Sequence, residues 1–288
     1  PSSLGNDWVY AIEEDNRGNF WIGSYGGGLN LMNRKTGRFR RFLNDPENPN
    51  SLRDNDVISL KSSGDYLWIG TQGGGLNCLN LNDFSFKYYR HDPKDLAQIS
   101  NNTVRDIVID NEGILWLATT GGLNRFDPDT EKFEHFIHDP QNPSSISNDL
   151  VITLLEFSDN EIWVGTINGL NIFNKKQQVF TRLGGLPNEV IHTILRDQSG
   201  YIWISTNGGL SYLGEYEEFI HYTVEDGLNT NEFNQNVALL SDHGELFFGG
   251  PNGIVSFFPD SLQDTTTLPN VVMTDILLFN RSVALSTR

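Results

Sequence analysis

The groups able to do chemistry are few in kind and repetitive in place. Histidines stand at His91, His135, His138, His192, His221 and His243. His91 and His138 hold matching positions before an Asp-Pro pair, which points to a turn role rather than a metal ligand. No His-Glu-x-x-His string occurs, and no histidine pair shows zinc spacing with cysteine. Cys78 is the single cysteine, so no intrachain disulfide can form, and a buried or inert thiol is expected. Asp127-Pro128-Asp129 lacks the pattern and the glycine of a calcium loop. No Gly-x-Ser-x-Gly elbow appears. Two of the 37 acids could flank a glycosidic bond if they stood about 5–10 Å apart with unequal pKa values. Yet Asp15, Asp110 and Asp197 recur at one place in a repeated pattern and read as turn caps. The expectation is no catalytic residue, no metal and no cofactor.

Binding chemistry is the better prospect, and its candidates are residues that differ where the rest of the pattern agrees. Tyr25 stands in a Gly-rich turn where the next copies carry Gln72 and Thr120. Trp8 opens a strand where other copies carry Thr103 and Leu150. Tyr10, Ile58, Arg105, Ile152 and His192 share the next inward position. Trp8, Tyr10 and Tyr25 can offer flat apolar faces with polar tips to a sugar ring. Arg105 and His192 can supply fixed donors to hydroxyls or a carboxylate. The ligand-binding candidates are therefore Trp8, Tyr10, Tyr25, Gln72, Arg105 and His192. The plainer alternative for each is packing between repeats or facing bulk water.

The scaffold that must position them is written as a repeat. FWIGSYGGGLNL (Phe20–Leu31) recurs as LWIGTQGGGLN, LWLATTGGLNRF, IWVGTINGLN and IWISTNGGLS, with a degenerate sixth copy LFFGGPNGIV. Trp21, Trp68, Trp116, Trp163, Trp203 and Phe247 mark the copies at spacings of 47, 48, 47, 40 and 44 residues. Such periods belong to propellers or helical arrays. Each unit holds short β-branched or aromatic runs bounded by Gly, Asn, Asp or Pro, and no window sustains a helical period. Four short strands per unit, repeated radially, predict an all-β propeller with six recognisable blades. A seventh blade, completed by the chain ends or by sequence ahead of residue 1, is left open. The marker aromatics are expected to wedge between blades as structural packing.

The joints carry further expectations. NRGN, DNEG and DQSG join strands one and two, and the Gly-Gly pairs turn strand two into strand three. A phosphate cradle would need a helix after those glycines, and a strand follows instead. Strand order puts the long Asp-Pro links and the Gly-Gly turns on one rim, a good place for binding. The link before the fifth unit, Leu183–Asn188, is short and could leave a notch. PSSLGND at residues 1–7 reads as the tail of such a link, with an upstream unit before it. Residues 1–262 are assigned to the propeller. Residues 263–288 are assigned to a linker and the first strand of a following domain or a closing strand, with Val271–Asn280 as that strand.

Composition narrows the partners. A formal net charge of −17 disfavours the phosphate backbone of DNA or RNA, so no nucleic-acid binding is expected. No run of 18 or more apolar residues is present.

The unit N-x-x-V-x-x-I-x-x-D-x-x-G-x-x-W-I-G-T-x-x-G-G-L-N resembles the two-component regulator propeller repeat. Asn101–Asn124 and Asn188–Leu210 carry it most closely. GLNTNEFN, GGPNGI and Phe258–Asp260 resemble the last unit of such an array, and Val271–Leu285 resembles the start of the immunoglobulin-like domain that follows it. Unit six, with Phe247 for Trp, and Ala118 and Ser205 in the Gly position, departs from the pattern. The resemblance implies the periplasmic sensor region of a Bacteroides-type hybrid receptor that controls glycan use. It implies a non-catalytic fragment on the periplasmic side of the inner membrane, with an oligosaccharide ligand. It also implies a membrane-anchored histidine kinase as parent, which could work as a homodimer. The alternatives from other classes are a protein-interaction or dimerisation scaffold, and a polysaccharide- or antibiotic-cleaving lyase.

Overall fold

The computed structural model describes residues 3–214 and 218–262, with residues 277–278 and 281–282. Six antiparallel sheets follow one another along the chain as the blades of an all-β propeller. Blade one has strands Val9–Glu14, Phe20–Ser24, Gly28–Asn33 and Arg38–Phe42 in sequential order. Blades two to five repeat that order, with inner strands Val57–Ser63, Val104–Ile109, Val151–Ser158 and Ile191–Arg196. Blade six begins at Ala238–Leu240 and shows three strands among the described residues, so the expected fourth is not among them. Most of the expected strand Val271–Asn280 lies outside the described residues. Within it, Leu277–Leu278 pairs with Arg281–Ser282.

One aspartate closes the first hairpin of three blades and aims the marker tryptophan. Asp110 Oδ1 accepts the N–H groups of Glu112 and Ile114, while Oδ2 accepts Trp116 Nε1 at 2.8 Å. Asp15 does the same for Trp21, and Asp197 for Trp203. Burial opposes ionisation of Asp15 and Asp110, but the indole and turn donors, joined at Asp110 by the Lys175 ammonium, outweigh it and hold both carboxyls below their usual range. The turn-cap expectation is met. Blade four departs: Phe157 takes the aspartate's place and stacks on Trp163 at 5.2 Å.

The motif asparagine has its own task. Asn30, Asn77, Asn124 and Asn171 are buried, and their Oδ1 atoms accept N–H from Gly5, Arg53, Ser100 and Ser147 of the link leading into the same blade. The glycine opening strand three is equally fixed. Gly75 has φ of 77°, and a side chain there would collide with the Tyr89 carbonyl. Its N–H donates to Asn102 O, as those of Gly28, Gly122, Gly169 and Gly209 do to their own links. Links and Gly turns therefore share one rim. The short fifth link is drawn onto its turn, with Pro187 and Asn188 against Gly208.

The core is five seams rather than one centre. In each, the marker tryptophan and a leucine of one blade pack against apolar residues leading the next. Trp116 and Leu123, for example, meet Val151 and Leu154. Small residues on strand two permit this approach: a methyl on Gly23 would lie 2.6 Å from Val57 Cγ1, and one on Gly165 2.7 Å from Ile191 Cγ2. Trp21, Trp68, Trp116, Trp163 and Trp203 are buried as expected, whereas Phe247 is only half-buried. His91 and His138 turn Nδ1 to the carbonyls of Ile99 and Ile146, which confirms their place in the link. Cys78 is buried, and burial pushes its thiol up to about 12.

Candidate functional site

A cavity of about 570 Å³ lies between blade six and the inner strands of blades one, two and three, lined by Tyr10, Ile58, Arg105, Asp106, Asn236 and Leu239, among others. Its wall is tied together by Asn236, which sits in the left-handed region at φ of 55°. The Asn236 N–H donates to His192 O at 3.0 Å. Its side-chain amide donates to Arg105 O at 3.1 Å and Ile152 O at 3.0 Å. One residue thus holds the inner strands of blades three, four and five to the lead-in of blade six.

Two charged groups of blade three border the cavity. Arg105 Nη1 donates to Gln235 Oε1 at 2.8 Å, while its buried Nε has no partner among the described residues. Burial pulls the guanidinium pKa down, yet an arginine remains a cation at neutral pH. Asp106 accepts the N–H groups of Ile107 and Leu154, both at 2.8 Å. Those donors favour its anion, but burial prevails and raises the carboxyl to about 6. The wall therefore sets a guanidinium cation beside a carboxyl whose pKa burial raises.

The aromatic candidates gather as a group. Trp8 and Tyr25 ring centroids are 5.8 Å apart, and Tyr10 and Tyr25 are 6.2 Å apart, all three exposed. Tyr10 also lines the cavity, which joins the aromatic group to Arg105. His192 and Gln72 are not brought into this lining. His192 is buried, with Nε2 bound to Asn207 Oδ1 at 2.7 Å, and only its main-chain carbonyl reaches Asn236. Gln72 is exposed on the rim of blade two, where its carbonyl accepts the Thr103 hydroxyl. Asp106, Gln235 and Asn236 were missed from sequence. Asn236 lies in the degenerate unit, where no repeated position marks it.

A second hollow, of about 360 Å³, lies between blades three and four. Its lysine is already engaged: Lys175 Nζ is 2.9 Å from Asp110 Oδ2 and 3.3 Å from Glu156 Oε1. Among the described residues, no three His, Cys, Asp or Glu side chains converge to hold a metal ion.

Comparison with known proteins agrees with this architecture. The family model described as Two component regulator propeller matches residues 3–26, 98–121 and 185–208, the openings of blades one, three and five. Histidine kinase P4 of Formosa agariphila is 42% identical over 62 residues, which cover 22% of this chain and 4% of that protein. The extracellular domain of a B. thetaiotaomicron protein described as a hybrid two component system, BT3049, superposes with a TM-score of 0.78 at 24% identity. That match covers 90% of this chain and 34% of the other. A catalytically inactive virginiamycin B lyase from Staphylococcus aureus, solved with quinupristin, gives 0.66 at 14% identity, over 88% of this chain and 81% of the lyase. At such identities the two structures share the fold and no more. The chain is a six-bladed β-propeller, and three of its repeats match the two-component regulator propeller family.

Proposed function

We propose that the chain is a non-catalytic, extracytoplasmic sensor propeller of a two-component receptor, binding an oligosaccharide or similar small ligand. The observation that carries this reading is the junction of Tyr10, Arg105 and the Trp8–Tyr25 pair beside one cavity. Flat rings stack on sugar faces, and a guanidinium held in place by Gln235 can serve hydroxyls or a carboxylate. The repeat match and the Formosa kinase support the receptor context. The kinase, the membrane anchor, the periplasmic location and a homodimeric parent belong to the same proposal. The Gly-turn rim, including Gln72, would then frame the approach to the cavity.

Calorimetric titration against plant and host oligosaccharides tests it. Saturable heat with unchanged glycan supports sensing, and Arg105→Met should weaken that binding at least about tenfold. Product formation would move the reading to the lyases that share the fold. Absence of heat, both from this chain and from a longer receptor fragment, would overturn glycan sensing.

A further inference from the structure

Of the five blades with a marker tryptophan, two lack the aspartate that receives its indole N–H. Register fixes the place, two residues beyond the partner of the tryptophan on strand one. Asp15, Asp110 and Asp197 follow Glu13, Val108 and Leu195, which pair with Trp21, Trp116 and Trp203. By the same count blade four carries Phe157, after Leu155, and blade two carries Ser63, after Lys61. Blade four closes the gap itself, because the Phe157 ring lies over Trp163. Blade two leaves it open with an exposed serine. Its hairpin is also one residue shorter: six residues separate Lys61 from Trp68, where seven separate Val108 from Trp116.

Trp68 is held in the same attitude as Trp116. It stacks on Tyr89 at 6.5 Å and 30°, as Trp116 does on Phe136 at 6.2 Å and 27°. Phe126 flanks it as Phe173 flanks Trp116. Its indole N–H is therefore aimed at the Ser63 corner. Trp68 is only 6% exposed, and its N–H forms no hydrogen bond among the described residues. A hollow of about 320 Å³ lies there between blades two and three, where Ser63, Tyr66, Tyr89, Leu115 and Pro128 line it with Trp68. Lys87 joins them from the outer strand, its Nζ 5.5 Å from the centre of the Tyr89 ring. Glu131 takes one of the three donors of that ammonium. The hollow shares no lining residue with the cavity beside Tyr10.

We infer that this hollow binds a small monocarboxylate, whose charged end takes the place that aspartate fills in blades one, three and five. Blade three shows the place when filled: Asp110 Oδ2 accepts both the Trp116 N–H and the Lys175 ammonium. Blade two lines its hollow with the same two kinds of donor, an indole N–H and an ammonium, and adds the Ser63 hydroxyl. Only the acceptor is missing. Tyr66, Tyr89, Leu115 and Pro128 give the body of the ligand an apolar bed suited to a ring. Asp129 and Glu131 also line the hollow and disfavour a second negative charge, so a dicarboxylate is rejected. Aromatic acids and sugar acids share the chemistry required.

The indole signals of a nitrogen–proton correlation spectrum test the inference on the 288-residue chain, with the Trp68 signal assigned through Trp68→Phe. Phenylacetate or glucuronate should shift that signal saturably, with a Kd of about 1 mM or below, and leave those of Trp21, Trp116 and Trp203 in place. Which of the two binds separates an aromatic acid from a sugar acid. Phenylacetamide and glucose, their uncharged counterparts, should bind at least roughly tenfold more weakly. Ser63→Asp returns the framework carboxylate at an exposed turn and should abolish the shift, with the other indole signals unchanged. No shift with either acid would overturn the inference. So would equal binding of the uncharged counterparts, or undiminished binding of the acid to Ser63→Asp.

Discussion

Leu154 and Ile12 hold one position in two blades, opposite Val164 and Ile22 of strand two. Leu154 lies in a buried cluster with Trp116, and Ile12 faces solvent. Residue type, strand and register are alike, so the difference arises in the neighbouring blade alone. A propeller blade is apolar on both faces by construction, and its burial is decided by what stands beside it. Stability in this chain should therefore depend on the seam rather than on the repeat position.

The strongest way to break that comparison is to remove the same framework aromatic on the two sides. Trp116→Ala should cost about 3–5 kcal/mol in denaturant unfolding, and Phe247→Ala less than about 1.5. Equal losses would mean that the face of blade six is covered in the isolated chain. Next, Asp110→Ala should cost about 2–3 kcal/mol, because it strands the buried Trp116 indole N–H and leaves the Lys175 ammonium with Glu156 alone. A loss under about 1 kcal/mol would show that the turn cap is not needed once the seam is packed.

Asp106 sharpens the comparison from the axial side. Its folded pKa of about 6 lies above the ordinary value, so its contribution is fully present below about pH 4 and is lost as pH rises through 6. The drop should be about 1–3 kcal/mol and should vanish in Asp106→Asn. An unchanged pH profile in that variant would mean that the carboxyl is well hydrated. The smallest effect is expected at Ile12→Ala, under about 0.5 kcal/mol, where Leu154→Ala should cost about 2–4.

Much of this was legible in the sequence because it is written several times. The tryptophans, the turn aspartates and the Gly-Gly turns could be read by comparing copies, and each sits where a hairpin blade needs it. The aromatic group was legible for the opposite reason, since Trp8, Tyr10 and Tyr25 break the pattern. His192 broke it too, but a partner on its own blade, Asn207, engages its ring. Asn236 escaped notice because its partners are main-chain carbonyls of three other blades, which no local pattern announces. The exposure of Ile12 and Ile254 escaped for a related reason, since each looks correct in its own unit.

The asparagine that grips the incoming link bears on how such a chain is made. Gly5 with Asn30, Arg53 with Asn77, Ser100 with Asn124 and Ser147 with Asn171 are separated by 24 or 25 residues each. A clasp of that span can close as soon as its two halves are free to meet. It needs no residue from any other blade. Folding can then advance one unit at a time, with short-range contacts setting the pace instead of the slow search for distant strands. Gene duplication could add or delete a whole unit without disturbing the clasps of the rest.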